Sequence, residues 1–330
     1  TLGQDLLDRD FTINAMAIPL KADCIENELV DPLCGMDDLR NNVLRMVGSR
    51  TFTSDPLRII KGIRHATVLG VEPEQETLYS MQREVTGLYR IADERIRQEI
   101  WGILASKNVS RGLRLLSLSL AGNYLFSKDY SAVTEDVVKR FEDCRVRWQA
   151  LKRECPLVDG WLDSEVEQGL SCETLILWTL MLAQIDQSLP ARLADEWMLS
   201  RRAQTNIKGL AVIDVKSLDG LASVYHSRRA FARWAYKARV DPKILLLTLA
   251  VMGSDRYMEF IASWVSLVDS LEGKPPEDFV NGHWLRAELG LQDGPEMTKA
   301  LSLVREAEIS GEVKSEGEAH NLLLRHYKNM

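Results

Sequence analysis

The stretch Phe52–Ala66 reads FTSDPLRIIKGIRHA, and the rest of the chain is organised around it. Its polar side chains recur at every third position: Asp55, Arg58, Lys61 and Arg64. Leucine and isoleucine residues form an apolar ridge beside them, which predicts a helix that is buried on one side and charged on the other. Proline directly after an acidic residue suits the first helical turn. We therefore expect a helix over Asp55–Leu69, with Ser54 or Asp55 as its cap.

Composition indicates an ordinary globular protein. The chain has 330 residues, of which 45% are hydrophobic and 27% charged, which is enough for two or more cores. The net charge of −7 excludes a global basic field, so a nucleic-acid partner would have to bind local basic patches. The five cysteines form no CxxC pair, and no signal peptide or long apolar run is present. These features predict free thiols, no zinc site and a cytoplasmic location.

The periodic pattern predicts a mainly α-helical protein from about Thr51 onward, after a small mixed α/β part over residues 1–50. In the mixed part we expect one helix, Asp5–Ala15, a hairpin of Met16–Leu20 with Glu26–Val30, a short helix at Asp37–Asn42 and a strand at Val43–Val47. So few strands cannot form an independent sheet, so we expect their partners upstream of Thr1.

Several later helices are also predicted, together with their caps. The predicted helices include Glu74–Val85, Ala92–Leu104, Glu135–Arg153, Cys172–Ile185, Ala191–Ile213, Val224–Arg239, Lys243–Met252 and Pro295–Ser310. Asp241 precedes one of them as a cap, and Ser315 with Glu318 is a capping-box pattern that opens the last helix.

Three motifs accompany the central stretch in a fixed order. They are Arg9-Asp10-Phe-Thr-Ile-Asn14-Ala, Asp31-Pro-Leu-Cys-Gly35-Met-Asp-Asp38, and Glu94-Arg95-Ile96. Together with Asp55-Pro-Leu-Arg58, they resemble the class II tRNA nucleotidyltransferases and bacterial poly(A) polymerases, which share one fold. Gly282-His-Trp-Leu-Arg-Ala-Glu-Leu-Gly290 resembles the tail of the same family.

The resemblance implies four parts. These are the C-terminal remnant of an α/β nucleotidyltransferase head (1–50), a helical neck with a base-selecting helix (51–110), a helical body (111–215) and a helical tail that is a candidate for tRNA binding (216–330).

The resemblance also implies the site residues. Its second motif contacts ribose and triphosphate, and its third selects the base, so the implied nucleotide-binding residues are Arg9, Asp10, Asn14, Asp55, Arg58, Lys61 and Arg64. Glu94 and Arg95 match a motif that supports the helix. Asp8 and Ser54 depart from the arginine and glutamate that the family usually has at these positions.

The pairing of an acid with an arginine can select bases by hydrogen bonding alone. Cytosine and adenine present an amine beside an acceptor ring nitrogen, whereas uracil and guanine present a carbonyl beside a ring N–H. Asp55 and Arg58, three residues apart on a helix, match the first arrangement. The wrong base leaves a charged group without a partner, which costs more than a lost neutral contact.

A basic cluster in the C-terminal part of the chain is a candidate RNA contact. Its basic residues are Arg228, Arg229, Arg233, Lys237 and Arg239. They are interleaved with Phe231, Trp234 and Tyr236, which either stack on bases or fill the core.

The implied function is template-independent addition of CCA, or of the terminal A, to tRNA from CTP and ATP with Mg²⁺. Poly(A) polymerase and a non-catalytic RNA-binding remnant are the alternatives. The partners implied are tRNA and nucleoside triphosphates, while the oligomeric state is left open.

The metal-binding carboxylates of this family precede its second motif, so we expect them upstream of Thr1. Asp37 and Asp38 are adjacent rather than spaced, and they follow that motif. We therefore predict that the 330-residue chain alone does not transfer nucleotides. An assay of Mg²⁺-dependent AMP incorporation into tRNA, with an active nucleotidyltransferase as control, tests this. Incorporation by the chain would contradict it.

Overall fold

A computed structural model describes residues 1–21, 24–25, 29–211, 240–252, 261, 265, 268–269 and 279–327. They fall into two compact units, one of residues 1–142 and 168–199 and the other of residues 143–167 and 200–330. Most described residues are helical, which confirms the predicted mainly α fold. None of the described helices combines the length and apolar character that a membrane span requires.

The described residues of the first unit form five short strands among its helices. Its helices and 3-10 turns are Leu2–Leu7, Thr12–Asn14, Gly35–Arg40, Thr51–Ser54, Leu57–Leu69, Gln75–Glu84, Val85–Arg90, Asp93–Leu104, Val109–Leu118, Ala121–Leu125, Cys172–Ile185 and Leu189–Glu196. Its strands are Leu20–Lys21, Cys24–Ile25, Val43–Leu44, Glu72–Pro73 and Leu170–Ser171.

In the second unit, the described residues form helices and one strand, Glu165–Glu167. Its described helices are Leu157–Asp163, Arg201–Ala211, Pro242–Met252, Gly282–Leu289, Pro295–Ile309 and Glu316–Tyr327. The helix Tyr130–Glu154 contains the division between residues 142 and 143.

The central helix runs from Leu57 to Leu69. This confirms the predicted helix and its end, whereas its start lies after the predicted Asp55. Asp55 lies outside the helix as its cap, because its Oδ1 accepts the backbone N–H of Leu57 at 3.1 Å. Gly70 ends the helix with φ of 75°, and its N–H donates to the Ala66 carbonyl at 3.0 Å. A left-handed residue directly after a helix favours glycine.

The predicted helix Asp5–Ala15 is wrong beyond the end of the helix Leu2–Leu7. Phe11 is extended and forms an antiparallel bridge with Met46, after which Thr12–Asn14 makes a single 3-10 turn. Pairing with a distant segment thus overrides the local helical preference.

Phe11 is fully buried against the central helix. A Cβ atom at Gly62 would lie 2.5 Å from the Phe11 ring and 2.7 Å from Cε of Met81, so glycine allows this close approach. The Phe52 and His65 rings lie beside Phe11, with centroids 6.3 Å and 6.1 Å away. This packing holds the segment that follows Asp10 against the central helix.

The predicted hairpin is confirmed with shifted bounds. Leu20–Lys21 pairs antiparallel with Cys24–Ile25, and Ala17 bridges Val30 further from the turn.

The strand predicted at Val43–Val47 is shorter, spanning Val43–Leu44. It pairs in parallel with Glu72–Pro73. We expected strand partners upstream, whereas this partner lies downstream, directly after the central helix. A two-residue strand carries too short a pattern to be found from sequence.

The motif that begins at Asp31 stabilises the region under the 3-10 turn. The Asp31 carboxylate accepts two backbone N–H groups at the start of the helix Gly35–Arg40, at 2.8 Å and 2.9 Å. Asp38 is buried, accepts the Thr12 hydroxyl at 2.7 Å and pairs with Arg45 at 3.1 Å. Both carboxylates are therefore structural supports in this fold.

Among the later helices, Cys172–Ile185 has the predicted bounds and is buried along most of its length. The predicted single helix Ala191–Ile213 is wrong, because the described part forms two helices, Leu189–Glu196 and Arg201–Ala211. Met198 between them has φ of 48°, which interrupts helical geometry.

The predicted caps of the second unit are confirmed. Asp241 Oδ1 accepts the backbone N–H of Lys243 at 2.9 Å, at the start of the helix Pro242–Met252. Ser315 Oγ accepts the N–H of Glu318 at 3.4 Å. The predicted helix over residues 224–239 lies outside the described residues.

Gly35→Ala is expected to destabilise the first unit by about 3 kcal/mol, because its Cβ would lie 2.1 Å from the backbone carbonyl oxygen of Thr12. Urea unfolding measures the change. Gly3→Ala is the matched control, since it is also helical and meets nothing within 4 Å, so a gain of about 0.5 kcal/mol is expected. Equal effects of the two substitutions would contradict the close approach.

Candidate functional site

The cleft of the first unit is an open cavity of about 650 Å³. Three elements form it: the segment 8–14, the central helix with Asp55, and the helix Asp93–Leu104. Its lining residues are Asp8, Arg9, Asp10, Asn14, Asp55, Leu57, Arg58, Lys61, His65, Arg95, Gln98 and Glu99. Six of the seven residues predicted to bind nucleotide therefore meet in one cavity, and Arg64 lies outside its lining.

A tryptophan cluster holds the third element of the cleft in place. Trp101 of the helix Asp93–Leu104 is buried, with its ring centroid 5.4 Å from that of Trp178 and 6.0 Å from that of Trp197. Arg97 on the same helix donates to the Trp197 carbonyl at 2.7 Å.

Asp10 is the most deeply buried charged group of the cleft, with 5% of its surface exposed. Its Oδ1 accepts the backbone N–H of Phe11 at 2.9 Å and the Asn14 amide at 3.1 Å. Its Oδ2 lies 2.5 Å from the Lys61 ammonium. The central helix therefore supplies the charge that balances this buried carboxylate.

These contacts set the ionisation of Asp10. Burial by itself would raise the pKa of the carboxyl, but the hydrogen bonds from Lys61, Asn14 and the Phe11 backbone, with the charge of Lys61, hold the pKa below its ordinary value. Asp10 is therefore ionised at neutral pH and acts only as a hydrogen-bond acceptor.

Arg58 is fixed by backbone rather than by an acid. Its guanidinium donates to the Asp8 carbonyl at 2.9 Å and to the Arg9 carbonyl at 3.3 Å. An arginine has five N–H donors, so three are left for other partners. The segment that carries Arg9 is thus attached to the central helix at Arg58 as well as at Lys61.

Asp55 combines a structural contact with access to the cleft. One oxygen caps the central helix, and the other lies 3.5 Å from the guanidinium of Arg95. A carboxylate has about four acceptor sites, so both oxygens can still accept hydrogen bonds from a ligand. Arg95, predicted only to support the helix, lines the cleft itself, whereas Glu94 is exposed in the first turn of its helix.

Arg64 lies outside the cavity lining and makes a structural contact. Its Nε lies 2.5 Å from Glu99, and its side chain covers Gly102, where a Cβ would lie 2.5 Å from Cδ of the arginine. Arg64 thus joins the central helix to the helix Asp93–Leu104. The sequence alone does not predict this ion pair, because the opposite charges of Glu99 and Arg64 become informative only when the two helices are known to be neighbours.

Arg9 lines the cleft with an exposed side chain, which pairs with Asp5 at 2.7 Å in the same helical region. The side-chain hydrogen bond with Asp5, followed by its charge, raises the pKa of Arg9. Exposed pairs of this kind are weak, so Arg9 can exchange Asp5 for a ligand at low cost.

His65 is one of the lining residues that the sequence did not assign to the site. Its Nε2 lies 3.5 Å from the Asn14 amide nitrogen, at the inner side of the cleft. Burial lowers the pKa of His65, and the charges of Arg64 and Lys61 lower it further against the opposing effect of Asp10 and Glu99. Its position one residue after Arg64 was the available signal.

The described residues do not fit the two-metal centre that the resemblance implies. Among them, no cluster of three or more His, Cys, Asp or Glu side chains is placed to hold a metal ion. The buried carboxylate of the cleft, Asp10, is already bound to Lys61 and Asn14. The predicted RNA-contact residues at 228–239 lie outside the part of the chain that the structure describes.

Two family models match parts of the chain on either side of the central helix. Residues 1–45 match the family described as the Poly A polymerase head domain. Residues 70–128 match the family described as the probable RNA and SrmB-binding site of polymerase A.

Relatives match the chain over nearly its whole length. The CC-adding tRNA nucleotidyltransferase of Geobacter sulfurreducens is 27% identical over 328 residues, which are 98% of this chain and 74% of the relative. The CCA-adding enzyme of Streptococcus pneumoniae is 28% identical over 332 residues, which are 99% of this chain and 73% of the relative. The chain is thus similar to a tRNA nucleotidyltransferase and to a CCA-adding enzyme, in agreement with the resemblance of its motifs.

Solved structures of CCA-adding enzymes share the fold of this chain. The Thermotoga maritima CCA-adding enzyme complexed with tRNA is 24% identical, with a TM-score of 0.60 over 99% of this chain and 74% of that one. Complexes of a CCA-adding enzyme with ATP and with CTP give TM-scores of 0.61 and 0.62, at 24% and 23% identity, over 98% of this chain and 72% of those.

Lys61→Met is expected to destabilise the first unit by about 2 kcal/mol at pH 7, because it leaves the Asp10 charge buried without its cation. In the wild type the pKa of Asp10 is lowered, so its stabilisation is present above the ordinary value and is lost as pH falls through the lowered one. In the variant burial remains and raises the pKa, so protonation on acidification relieves the unpaired charge.

The difference in unfolding free energy between wild type and Lys61→Met should therefore narrow as the pH falls from 7 to 4. Urea unfolding across this range measures it. Arg40→Met is the control, because the Arg40–Asp37 pair is 72% and 67% exposed and should contribute little at any pH. A difference for Lys61→Met that does not change with pH would contradict the assignment to Asp10.

Proposed function

We propose that this chain is the nucleotide-selecting part of a tRNA nucleotidyltransferase that adds cytidine and adenosine nucleotides to the 3′ end of tRNA without a nucleic-acid template. The observation that carries the proposal is the single cleft in which Asp55 and Arg58 lie beside Arg9 and Lys61. Base-reading and phosphate-binding groups are thus placed within the reach of one nucleoside triphosphate. The similarity to a CC-adding tRNA nucleotidyltransferase and to CCA-adding enzymes, and the ATP and CTP complexes of structural relatives, support the proposal.

The base is read by Asp55 and Arg58 together. The free acceptor sites of Asp55 suit the exocyclic amine of cytosine or adenine, and a free N–H of Arg58 suits the adjacent ring nitrogen. Uracil and guanine present a carbonyl to the carboxylate and an N–H to the guanidinium. With uracil or guanine the site loses both hydrogen bonds and places acceptor against acceptor and donor against donor. The site therefore disfavours these bases by more than the loss of one contact.

The backbone contacts of Arg58 make this reading specific. A free arginine side chain has many rotamers, and fixing one of them on binding costs conformational entropy. Here the carbonyls of Asp8 and Arg9 fix the guanidinium before a nucleotide arrives. A rigid donor cannot turn to meet a different base edge, which favours selection over tolerance.

The charges of the cleft bear on how the triphosphate binds. Four lining residues are acidic, Asp8, Asp10, Asp55 and Glu99, and four are basic, Arg9, Arg58, Lys61 and Arg95. The acidic and basic groups balance, so the lining adds no net attraction for a triphosphate. The Mg²⁺ ions that this chemistry employs supply the missing positive charge when bound. Because the described residues do not fit a metal centre, no chemical step is assigned to them.

The candidate activities differ in which nucleotides the enzyme adds to the RNA. One relative is a CC-adding enzyme and another a CCA-adding enzyme, while the matched head-domain family is named for poly(A) polymerase. We propose CCA addition, with CC addition and poly(A) synthesis as alternatives. A fusion of this chain to the metal-binding segment of a CCA-adding enzyme supplies the activity that the chain alone is predicted to lack. Sequencing the products that this fusion makes from a tRNA that ends before CCA, with CTP and ATP offered separately and together, distinguishes them. Tails of adenosine without cytidine would overturn the proposal.

The proposed partners are tRNA and nucleoside triphosphates, and the proposed location is the cytoplasm, where tRNA is processed. We keep as proposals the implied division at 1–50, 51–110, 111–215 and 216–330 and the tail as the tRNA-binding part.

Asp55→Asn is expected to lower the preference for ATP and CTP over GTP and UTP by at least about tenfold, equivalent to about 1.4 kcal/mol. An asparagine amide can turn to donate to the carbonyl of uracil or guanine, while it still caps the central helix. Titration calorimetry of the 330-residue chain with each triphosphate measures the preference. Asp37→Asn, an exposed change outside the cleft, is the control. An unchanged preference in Asp55→Asn would rule out base reading by this carboxylate.

A further inference from the structure

The second unit contains a smaller cavity that the proposed function does not use. Its volume is about 260 Å³. Its described lining comes from the helix Pro295–Ile309 and from residues 280–282, where the helix Gly282–Leu289 begins. Typical small-molecule sites have about 300–1,000 Å³, so this cavity suits a single small ring rather than a whole nucleoside triphosphate.

Apolar side chains form much of the lining. They are Val280, Leu301 and Val304. Val280 and Val304 are 4% and 3% exposed and belong to the hydrophobic core that the C-terminal helices share. The apolar walls are therefore held by a packed core, and such walls favour the face of a flat ring.

An ion pair forms the polar part of the lining. Glu308 is buried, with 3% of its surface exposed, and its Oε2 accepts a hydrogen bond from Nη1 of Arg305 at 3.2 Å. A buried carboxylate requires such a partner. Because the two charges cancel, the lining favours an uncharged polar ligand over a phosphate or a metal cation.

This pair places a hydrogen-bond acceptor beside a donor. Arg305 and Glu308 are three residues apart on one helix, so their side chains are neighbours. A carboxylate has about four acceptor sites and a guanidinium five N–H groups, so the bond between them uses a small part of the capacity of either. The matching ligand has a donor beside an acceptor. Cytosine and adenine present this edge, whereas uracil and guanine present the reverse.

We propose that this cavity is a second base-binding site. It takes the ring of a cytosine or adenine that is not base-paired, with the amine of the ring on Glu308 and the adjacent ring nitrogen on Arg305. Such a ring is offered by a free nucleoside or by an RNA position without a base-pairing partner. The inference does not require a nucleotide in the cleft of the first unit.

Hydrogen–deuterium exchange of the 330-residue chain, measured by mass spectrometry, reports the cavity and the cleft separately. A ligand in the cavity protects the helix Pro295–Ile309, and a ligand in the cleft protects the central helix. Cytidine, adenosine, uridine and guanosine are titrated in turn. For protection of Pro295–Ile309, we expect cytidine and adenosine to have dissociation constants at least about tenfold lower than uridine and guanosine, which would lose both hydrogen bonds.

Two leucine variants test whether the ligand occupies the cavity. Leu301→Trp fills the cavity without changing its charges, so no nucleoside should protect Pro295–Ile309. Leu303→Trp is the matched control and should behave as the wild type. Leu303 is also a half-buried leucine of this helix that packs on the same core, but it is not among the residues that line the cavity.

Glu308→Gln tests the reading of the base edge. An amide can turn to donate to the carbonyl of uracil or guanine, so the preference for cytidine and adenosine should fall below about threefold. Glu306→Gln, at a half-buried position of the same helix outside the lining, should keep the wild-type preference.

Single-stranded oligocytidine and oligouridine identify the source of the ring. Tighter binding of oligocytidine than of cytidine assigns the ring to RNA, and binding of cytidine alone assigns it to a free nucleoside or nucleotide. Equal protection by all four nucleosides, no protection of Pro295–Ile309, or protection that persists in Leu301→Trp would overturn the inference. If Glu308→Gln does not fold, the four nucleosides and the leucine variants still decide the matter.

The proposed function is tested separately in the same experiment, because it concerns the central helix. A central helix that ATP and CTP protect no better than GTP and UTP would refute that function, whatever is observed at Pro295–Ile309.

Discussion

The buried charge pair of Asp10 and Lys61 is the interaction on which the cleft depends. A carboxylate with 5% exposure is stable only if its hydrogen-bonding capacity is used, and here the central helix, Asn14 and the Phe11 backbone use it. The pair therefore determines where the second motif lies on the helix. A helix alone could turn its charged ridge towards solvent, but a helix bound to a buried acid cannot, and so Arg58 and Asp55 reach the same cavity.

The arginines and lysine of the central helix divide their work along its length. Arg58 binds backbone carbonyls, Lys61 neutralises a buried acid, and Arg64 joins the next helix through Glu99. A spacing of three residues turns successive side chains around the helix axis, so each meets a different neighbour. The same regular pattern thus combines a ligand-facing role at one end with structural roles further along.

Much of this arrangement can be predicted from the sequence, for reasons that differ between parts. The central helix and the helix Cys172–Ile185 follow from apolar periodicity, which a helix must satisfy locally. The gathering of Asp10, Asn14 and Asp55 follows from motifs whose order and spacing resemble a known family. Prediction from sequence fails for features that depend on a distant partner. These are the extended conformation of Phe11, which pairs with Met46, and the backbone carbonyls that bind Arg58. A carbonyl is present at every residue, so no sequence pattern reveals it.

Because the contact with Arg58 uses a main-chain carbonyl, it has a consequence for amino-acid substitutions in this region. The family usually has an arginine where this chain has Asp8, and an acid there alters the local charge. The contact with Arg58, however, is made by the main-chain oxygen of Asp8, which any side chain leaves in place. Residue 8 is therefore free to vary in sequence without releasing the segment from the helix. A substitution at residue 8 would therefore change the charge of the cleft lining while Arg58 keeps its main-chain contact.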